Sequence, residues 1–301
     1  MNEDFRSGFV SIVGRPNVGK STIMNLLIGE KIAVMSHRPQ TTRNKIKTIL
    51  TTDEFQAVFI DTPGLHNPKS KLGDYMVKSA ENALKEVDIV LYVVEPFSEI
   101  KKSDRDIIDR LKDVKAPVYL IINKIDTVEK DELLKVIDAY RRVLDFKEIL
   151  PFSALKGTNA DELKKIIRDG LPVGPKYYPE DMITDQTERQ LVSEIIREKA
   201  LFLLNEEIPH GIAVEVTEMK KREGRDFYDI SANVFCEKAS HKGIVIGKNG
   251  EMLKKIGTKA RADIEKLLGS GVNLKLWVKV KKDWRDKESL LNEFGYNRKL
   301  I

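Results

Sequence analysis

The sequence predicts two domains: an α/β domain on a mostly parallel sheet with helices on both faces, then a smaller α+β domain. Three observations predict this. The chain has 301 residues, and single cores tend to split beyond ~250 residues. Its first half alternates short β-branched runs with helical patterns, whereas its second half sets alternating, half-buried strands among amphipathic helices. Between the halves, Leu171-Pro-Val-Gly-Pro-Lys-Tyr-Tyr-Pro179 holds three prolines and a glycine in nine residues, and cannot continue a helix or a central strand. The expected layout is a first domain over 1–175, a linker over 176–182, a second domain over 183–285 and a tail over 286–301.

Composition narrows the class. With 41% hydrophobic and 33% charged residues the chain is not a disordered one. No apolar run approaches the ~18–20 residues of a membrane span; the longest clear one, Ile89–Val94, is strand length. The N-terminal MNEDFRSGF has early acids and no apolar signal core, so no secretory or transit peptide is expected. A single cysteine, Cys236, permits no internal disulfide or cysteine metal cluster, and points to the cytoplasm. His37, His66, His210 and His241 have no recognisable metal spacing. The net charge of +5 is uneven: residues 238–282 hold twelve Lys/Arg and three acids, a +9 segment beside a remainder of −4. A charge run is often only a solvated face, and it becomes evidence for nucleic acid only with a motif.

In the first half, strands are predicted at Phe9–Val13, Lys45–Leu50, Ala57–Ile60, Ile89–Val94, Val118–Ile122 and Ile149–Pro151. Helices are predicted near Lys20–Ile28, Asp74–Lys85, Ser103–Leu111, Glu129–Leu144 and Ala160–Arg168. The second and third strands are too close in sequence for a crossover and should pair antiparallel.

The first strand runs into Gly14-Arg15-Pro16-Asn17-Val18-Gly19-Lys20-Ser21, followed by Thr22: a G-x-x-x-x-G-K-S loop between strand and helix. Glycines let the backbone N–H groups converge on phosphate oxygens, Lys20 adds a cation, and the helix N-terminus adds its dipole. The Ser21 hydroxyl is then placed to ligate Mg²⁺. Asp61-Thr62-Pro63-Gly64 follows the third strand; an Asp there can hold the Mg²⁺ shell, and the Gly64 N–H can sense a γ-phosphate. Asn123-Lys124-Ile-Asp126 follows the fifth strand. A carboxylate there accepts from both N1–H and the exocyclic amine of guanine, a pair adenine does not present. Lys124 can lay its stem along the ring, Asn123 can brace the phosphate loop, and Ser153-Ala154-Leu155 can offer an N–H to guanine O6. Each string alone is an ordinary loop. Four in this order, each at a strand's carboxyl end, are not.

These ordered motifs resemble the translation-factor-like GTPases of the P-loop NTPase (Ras-like) fold. The resemblance implies guanine specificity from Asn123, Lys124 and Asp126, and two switch segments reading the γ-phosphate. The first should lie near Pro39-Gln-Thr-Thr-Arg43, with Thr42 favoured over Thr41 as the hydroxyl closing on Mg²⁺. The second should run from Asp61 to about Lys71. The residue after Gly64 is Leu65, where many GTPases place a water-orienting glutamine; Gln40 and His66 are near in sequence but not at the matching position. Slow intrinsic hydrolysis is the expectation, resting on Lys20, Thr42, Gly64 and Asn17. GTPases with asparagine at the position of Asn17 are similar in using K⁺ to bridge phosphates; the alternative is that Asn17 only caps the loop.

After the linker, Thr187-Glu-Arg-Gln190 offers a capping box opening a helix to about Asn205. Ile212, Val214 and Val216 alternate with polar residues, as do Ile230, Ala232 and Val234, with Gly224 turning the hairpin between. Gly243-Ile-Val-Ile246-Gly247-Lys248-Asn249-Gly250 follows, then a helix with Leu253, Ile256, Ala260, Ile264 and Leu267 on one face, then a strand over Val272–Val280. Lys275, Trp277 and Lys279 fall on that strand's outer face. This order resembles a type II KH domain, whose G-x-x-G loop clamps a single-stranded nucleic acid backbone. The resemblance implies RNA contacts from Gly243, Ile246, Gly247, Lys248, Asn249, Gly250 and Lys254. Trp277 and Lys279 join them if Trp277 stacks a base rather than packing on lysine stems.

Over nearly the whole chain the sequence resembles the bacterial Era GTPase family, through GRPNVGKST, QTTR, DTPGLH, NKID, Ser193-Glu-Ile-Ile-Arg-Glu-Lys199 and Leu276-Trp-Val-Lys-Val-Lys281. That implies a GTP/GDP switch that binds the 3′ end of 16S rRNA and serves assembly of the small (30S) ribosomal subunit. It also implies a cytoplasmic monomer, peripheral on the inner membrane in some relatives. A tRNA-modification GTPase would carry a folate-type domain and a C-terminal reactive cysteine, both missing here. An RNA chaperone with only regulatory GTP binding stays open through Leu65. A two-GTPase assembly factor is excluded, since GK[S/T] occurs once.

Overall fold

The computed structural model describes residues 4–29, 46–61, 71–74, 84, 86–205, 208–294 and 296, with Ile46 and Asp61 described by their backbone. Thr41, Thr42, Thr62, Pro63, Gly64, Leu65 and most of the predicted Asp74–Lys85 helix lie outside these residues.

The first domain runs β1 (Arg6–Val13), α1 (Lys20–Ile28), β2 (Ile46–Thr51), β3 (Phe55–Asp61), β4 (Ile89–Val94), α2 (Lys102–Leu111), β5 (Val118–Ile122), α3 (Lys130–Arg141), β6 (Glu148–Pro151) and α4 (Ala160–Gly170). The sheet order is β2-β3-β1-β4-β5-β6. As the short connection requires, β2 is antiparallel to β3, and all other neighbours are parallel. Every residue of β4 and β5 is buried, because helices cover both faces of a parallel sheet and the strands read as continuous apolar runs. One apolar layer joins Ile12, Leu91 and Ile121 to Met24 and Leu163; the opposite layer joins Tyr92 and Leu120 to Ile108 and Val136.

The proline-rich stretch is strapped to the sheet. Ser7 N–H donates to the Pro172 carbonyl at 3.0 Å and Ile49 N–H to that of Ile183 at 2.9 Å. Buried Gln56 is the central rivet: its Oε1 accepts from the Tyr177 and Tyr178 amides at 2.7 and 3.0 Å, and its Nε2 donates to the Tyr178 carbonyl at 2.9 Å. The strap covers the outer edge of β2, which would otherwise present unpaired backbone.

The second domain runs α5 (Glu188–Leu203), β7 (Ala213–Lys221), β8 (Phe227–Cys236), α6 (Ala239–Ile246), α7 (Glu251–Leu268), β9 (Gly271–Val280) and α8 (Glu288–Glu293). The capping box forms as the sequence predicts, with Thr187 Oγ1 accepting from Gln190 N–H and Gln190 Oε1 from Thr187 N–H. The sheet order is β7-β8-β9, with β7 antiparallel and β9 parallel to β8. A bulge at Val216/Glu218 lets the hairpin continue past the point where the sequence alternation stops. Helices α5, α6 and α7 pack one face through Val192, Ile196, Val245, Ile256, Ala260 and Ile264.

The described residues after 280 pack onto the second domain. Trp284 and Leu291 are buried with Tyr296, Phe235 and Ala213, and Trp284 Nε1 donates to the Gly211 carbonyl at 2.8 Å. Leu72, from the helical segment at 71–74, is buried in this same cluster, and Lys71 N–H donates to Asp286 at 3.2 Å.

Candidate functional site

The phosphate loop leaves β1 and enters α1 through Asn17 and Gly19, at φ 69° and 104°. Gly19 is dictated by its neighbour as well: a Cβ there would lie 2.1 Å from Asn123 Nδ2. That closeness lets Asn123 brace two loops at once. Its Nδ2 donates to the Val18 carbonyl at 2.8 Å and its Oδ1 accepts from Ala154 N–H at 3.0 Å. Lys20 Nζ donates to the Gly14 and Arg15 carbonyls, each at 2.8 Å.

The loops after β5 and β6 converge on the same edge. Lys124, at φ 66°, donates to the Asn17 carbonyl at 2.7 Å. Ser153 Oγ donates to Asp126 Oδ1 at 2.5 Å, and this hydrogen bond holds the Asp126 carboxyl below the usual carboxylate range. Asp61 closes β3 opposite Ile12 of β1, beside the start of the phosphate loop, so Asn17, Lys20, Asn123, Lys124, Asp126 and Ser153 meet at one sheet edge with it. Ser21 starts the same helix as Lys20. Ser21, in the helix after the phosphate loop, and Asp61, at the end of the strand beside β1, are residue types that suit a hard divalent cation such as Mg²⁺. Thr42 and Gly64, assigned to the switches, lie outside the described residues.

Two further residues belong to this edge and carry no sequence motif. Glu95, directly after β4, accepts from Lys124 Nζ at 2.5 Å and from Arg15 Nη2 at 3.3 Å. Asp104 on α2, 1% exposed, accepts from Arg15 Nε at 2.9 Å and from Tyr92 Oη at 3.1 Å. Burial opposes the Arg15 charge, and Asp104 and then Glu95 outweigh it, leaving the guanidinium more basic than usual. Burial pushes the Tyr92 and Tyr140 phenols up, so both stay neutral donors. The Arg15 side chain is therefore engaged by Asp104 and Glu95. An acid ending an all-apolar strand was the one available sequence signal for Glu95.

A second site lies in the other domain. Helix α6 ends at Gly247, φ 76°, where a Cβ would sit 2.7 Å from Met252 Cβ; Lys248, Asn249 and Gly250 complete the turn into α7. Beside this turn a groove of about 390 Å³ runs between α7 and β9, lined by Gly250, Leu253, Lys254, Gly257, Thr258 and Arg261 of the helix and Asn273, Leu274 and Leu276 of the strand. β9 is the last strand of its sheet. Gly271 N–H and Lys281 N–H donate to β8-side carbonyls, while Val272 N–H turns the other way to Glu265. The amides of Leu274 and Leu276 therefore face outward along the groove. Lys254 lines it and Lys248 lies in the turn before Gly250, but Trp277 and Lys279 do not line it: as the sequence predicts, alternation carries them to the opposite sheet face, across from Asn233 and Phe235. Among the described residues no cluster of metal-ligating side chains occurs and no helix is long and apolar enough to cross a membrane.

Comparison with known proteins fits both sites. A family model described as a 50S ribosome-binding GTPase matches residues 9–124, and a KH domain model matches residues 207–285. The chain is 58% identical to the GTPase Era of Clostridioides difficile over 296 residues, 98% of this chain and 100% of that protein. It is 55% identical to the GTPase Era of a Clostridium botulinum strain over 295 residues, again 98% and 100%. Among solved structures it resembles a point variant of Aquifex aeolicus Era bound to GDP·AlF₄⁻, at TM-score 0.92 and 40% identity over 97% of this chain and 100% of that one. It is equally similar, at TM-score 0.92 and 40% identity, to Era in complex with MgGDPNP and nucleotides 1506–1542 of 16S ribosomal RNA, covering 97% and 99%. With both domains matched and relatives aligned end to end, the chain belongs to the Era family of GTPases.

Proposed function

We propose that this chain is a GTP-hydrolysing switch whose KH groove binds the 3′ end of 16S rRNA during assembly of the small ribosomal subunit. The observation that carries the reading is the pairing, in one chain, of a phosphate loop braced by a guanine-selective loop with a glycine-turn groove inside a +9 segment. A full-length relative of 40% identity is known with 16S nucleotides bound. This favours the small subunit over the large one named in the broader GTPase family's description.

In this reading the phosphate-loop amides and Lys20 meet the phosphates. Asp126 accepts from guanine N1–H and the exocyclic amine, and the Lys124 stem, held between Asn17 and Glu95, forms a wall against the ring. Ser21, Asp61 and Thr42 would hold Mg²⁺, which supplies charge neutralisation at the β- and γ-phosphates. Leu65, after Gly64, has no group to orient a water, so unassisted turnover is slow. Potassium at Asn17 belongs to the same proposal. Cytoplasmic residence goes with it, any membrane contact being peripheral.

The test compares RNA affinity with GDP and with GDPNP plus Mg²⁺, using 16S nucleotides 1506–1542 as probe. Tighter binding with GDPNP and its loss in Gly250→Asp are expected; equal affinity in both nucleotide states would remove the switch. Single-turnover hydrolysis in K⁺ and in Na⁺ completes it, equal rates removing the potassium role.

A further inference from the structure

Helix α7 carries a glycine at its seventh position, Gly257, although glycine weakens a helix interior relative to alanine. Neither of the usual structural reasons applies. Gly257 is not among the glycines with positive φ. A Cβ built on it would meet only Leu276 Cδ1, at 3.5 Å, an ordinary van der Waals contact. Gly247 is the contrast, since a side chain there would collide with Met252.

What distinguishes Gly257 is its place. Its helical neighbours Ile256 and Ala260 are buried in the core, while Gly257 lines the groove between Leu253 and Leu276. Across from it runs the outer edge of β9, with the Leu274 and Leu276 amides directed outward. Bare helix backbone on one side, leucine side chains on the floor and a row of backbone donors and acceptors on the other side make a narrow slot. It suits a flat, apolar-faced ligand with a hydrogen-bonding rim. An unstacked nucleobase has that shape, and a base inside a duplex does not present it.

We infer that Gly257 is an affinity-determining residue for single-stranded RNA: its missing side chain opens the slot in which one unstacked base lies between α7 and the edge of β9. This rests on the groove being the RNA site. A methyl at position 257 would fill the slot without disturbing the fold, so its effects on stability and on binding have opposite signs.

The experiment uses the full chain with GDPNP and Mg²⁺, labelled 16S nucleotides 1506–1542 as probe, and Gly257→Ala, Lys254→Ala and Gly250→Asp. Gly257→Ala should raise the melting temperature by about 2–4 °C and weaken RNA binding about tenfold. Its log Kd against log[salt] slope should equal that of the wild type, because no phosphate contact is lost. Lys254→Ala should instead flatten that slope by about 0.7. Wild-type affinity in Gly257→Ala overturns the inference, as does weaker binding accompanied by a lower melting temperature. A wild-type chain that does not bind the probe, or a Gly250→Asp variant that binds it normally, would instead overturn the reading of the groove on which the inference rests.

Discussion

In the proposed reading Asp126 accepts two hydrogen bonds from guanine and must be ionised, and the Ser153 hydroxyl favours that form. The hydroxyl donates to Oδ1 and draws the carboxyl below its ordinary range. Because the folded value is depressed, the charged form is favoured at every pH above the ordinary aspartate value of ~3.9 and is lost as pH falls through the lower folded value. Ser153→Ala should move that loss upward, toward the ordinary range. GDP titrations from about pH 6 down to about pH 3.5 would then show the acid limb of the variant at higher pH than that of the wild type; coincident limbs would mean Ser153 does not tune the carboxylate. At this scale the sequence was legible wherever a motif fixes chemistry by short spacing, as in Asn123, Lys124 and Asp126. It offered no motif for Glu95 or Asp104. Their partner Arg15 lies 80 and 89 positions away, and nothing in local spacing links residues that far apart.

Among the elements, strands were read most securely where both faces are buried, as in β4 and β5, since a continuous β-branched run has few other uses. Boundaries slipped where pairing rather than propensity decides them. β1 begins at Arg6, three residues before its apolar alternation, because those residues pair with β3 from Phe55 onward. The linker is the clearest case. Its prolines announce a break in regular structure, yet the stretch is ordered by Gln56, a buried amide that donates and accepts along it. Gln56→Leu keeps the bulk but leaves the Tyr177 and Tyr178 amides without their acceptor, at a cost of about 1–3 kcal/mol. Limited proteolysis of this variant should cleave within 172–186 faster than in wild type while GDP affinity is retained. Equal cleavage rates would show that the strap is held by its other contacts.

For the whole molecule, the contact of consequence joins Leu72 to Trp284, Leu291 and Tyr296. Leu72 follows the stretch assigned to γ-phosphate sensing, and its burial site is built on the strand–helix unit that also carries β9. A two-state arrangement of the first can thus bias the second by ordinary packing. Leu72→Ala should shrink the difference in RNA affinity between GDP and GDPNP severalfold, within the 5–150-fold range typical of such coupling. The measurement is the ratio of the two dissociation constants, and an unchanged ratio would rule this contact out as the link.

The sequence by itself determined what depends on near neighbours: the alternation of strands and helices, the phosphate loop, the guanine loop and the glycine turn within a basic segment. Those features follow from periodicity and backbone freedom within a few residues. Tertiary structure alone decided which charges neutralise Arg15 and Lys124, why α7 can leave Gly257 bare, and where Leu72 is buried. Each of these depends on which distant segments are brought into contact, and burial and ion pairing act through space rather than along the chain.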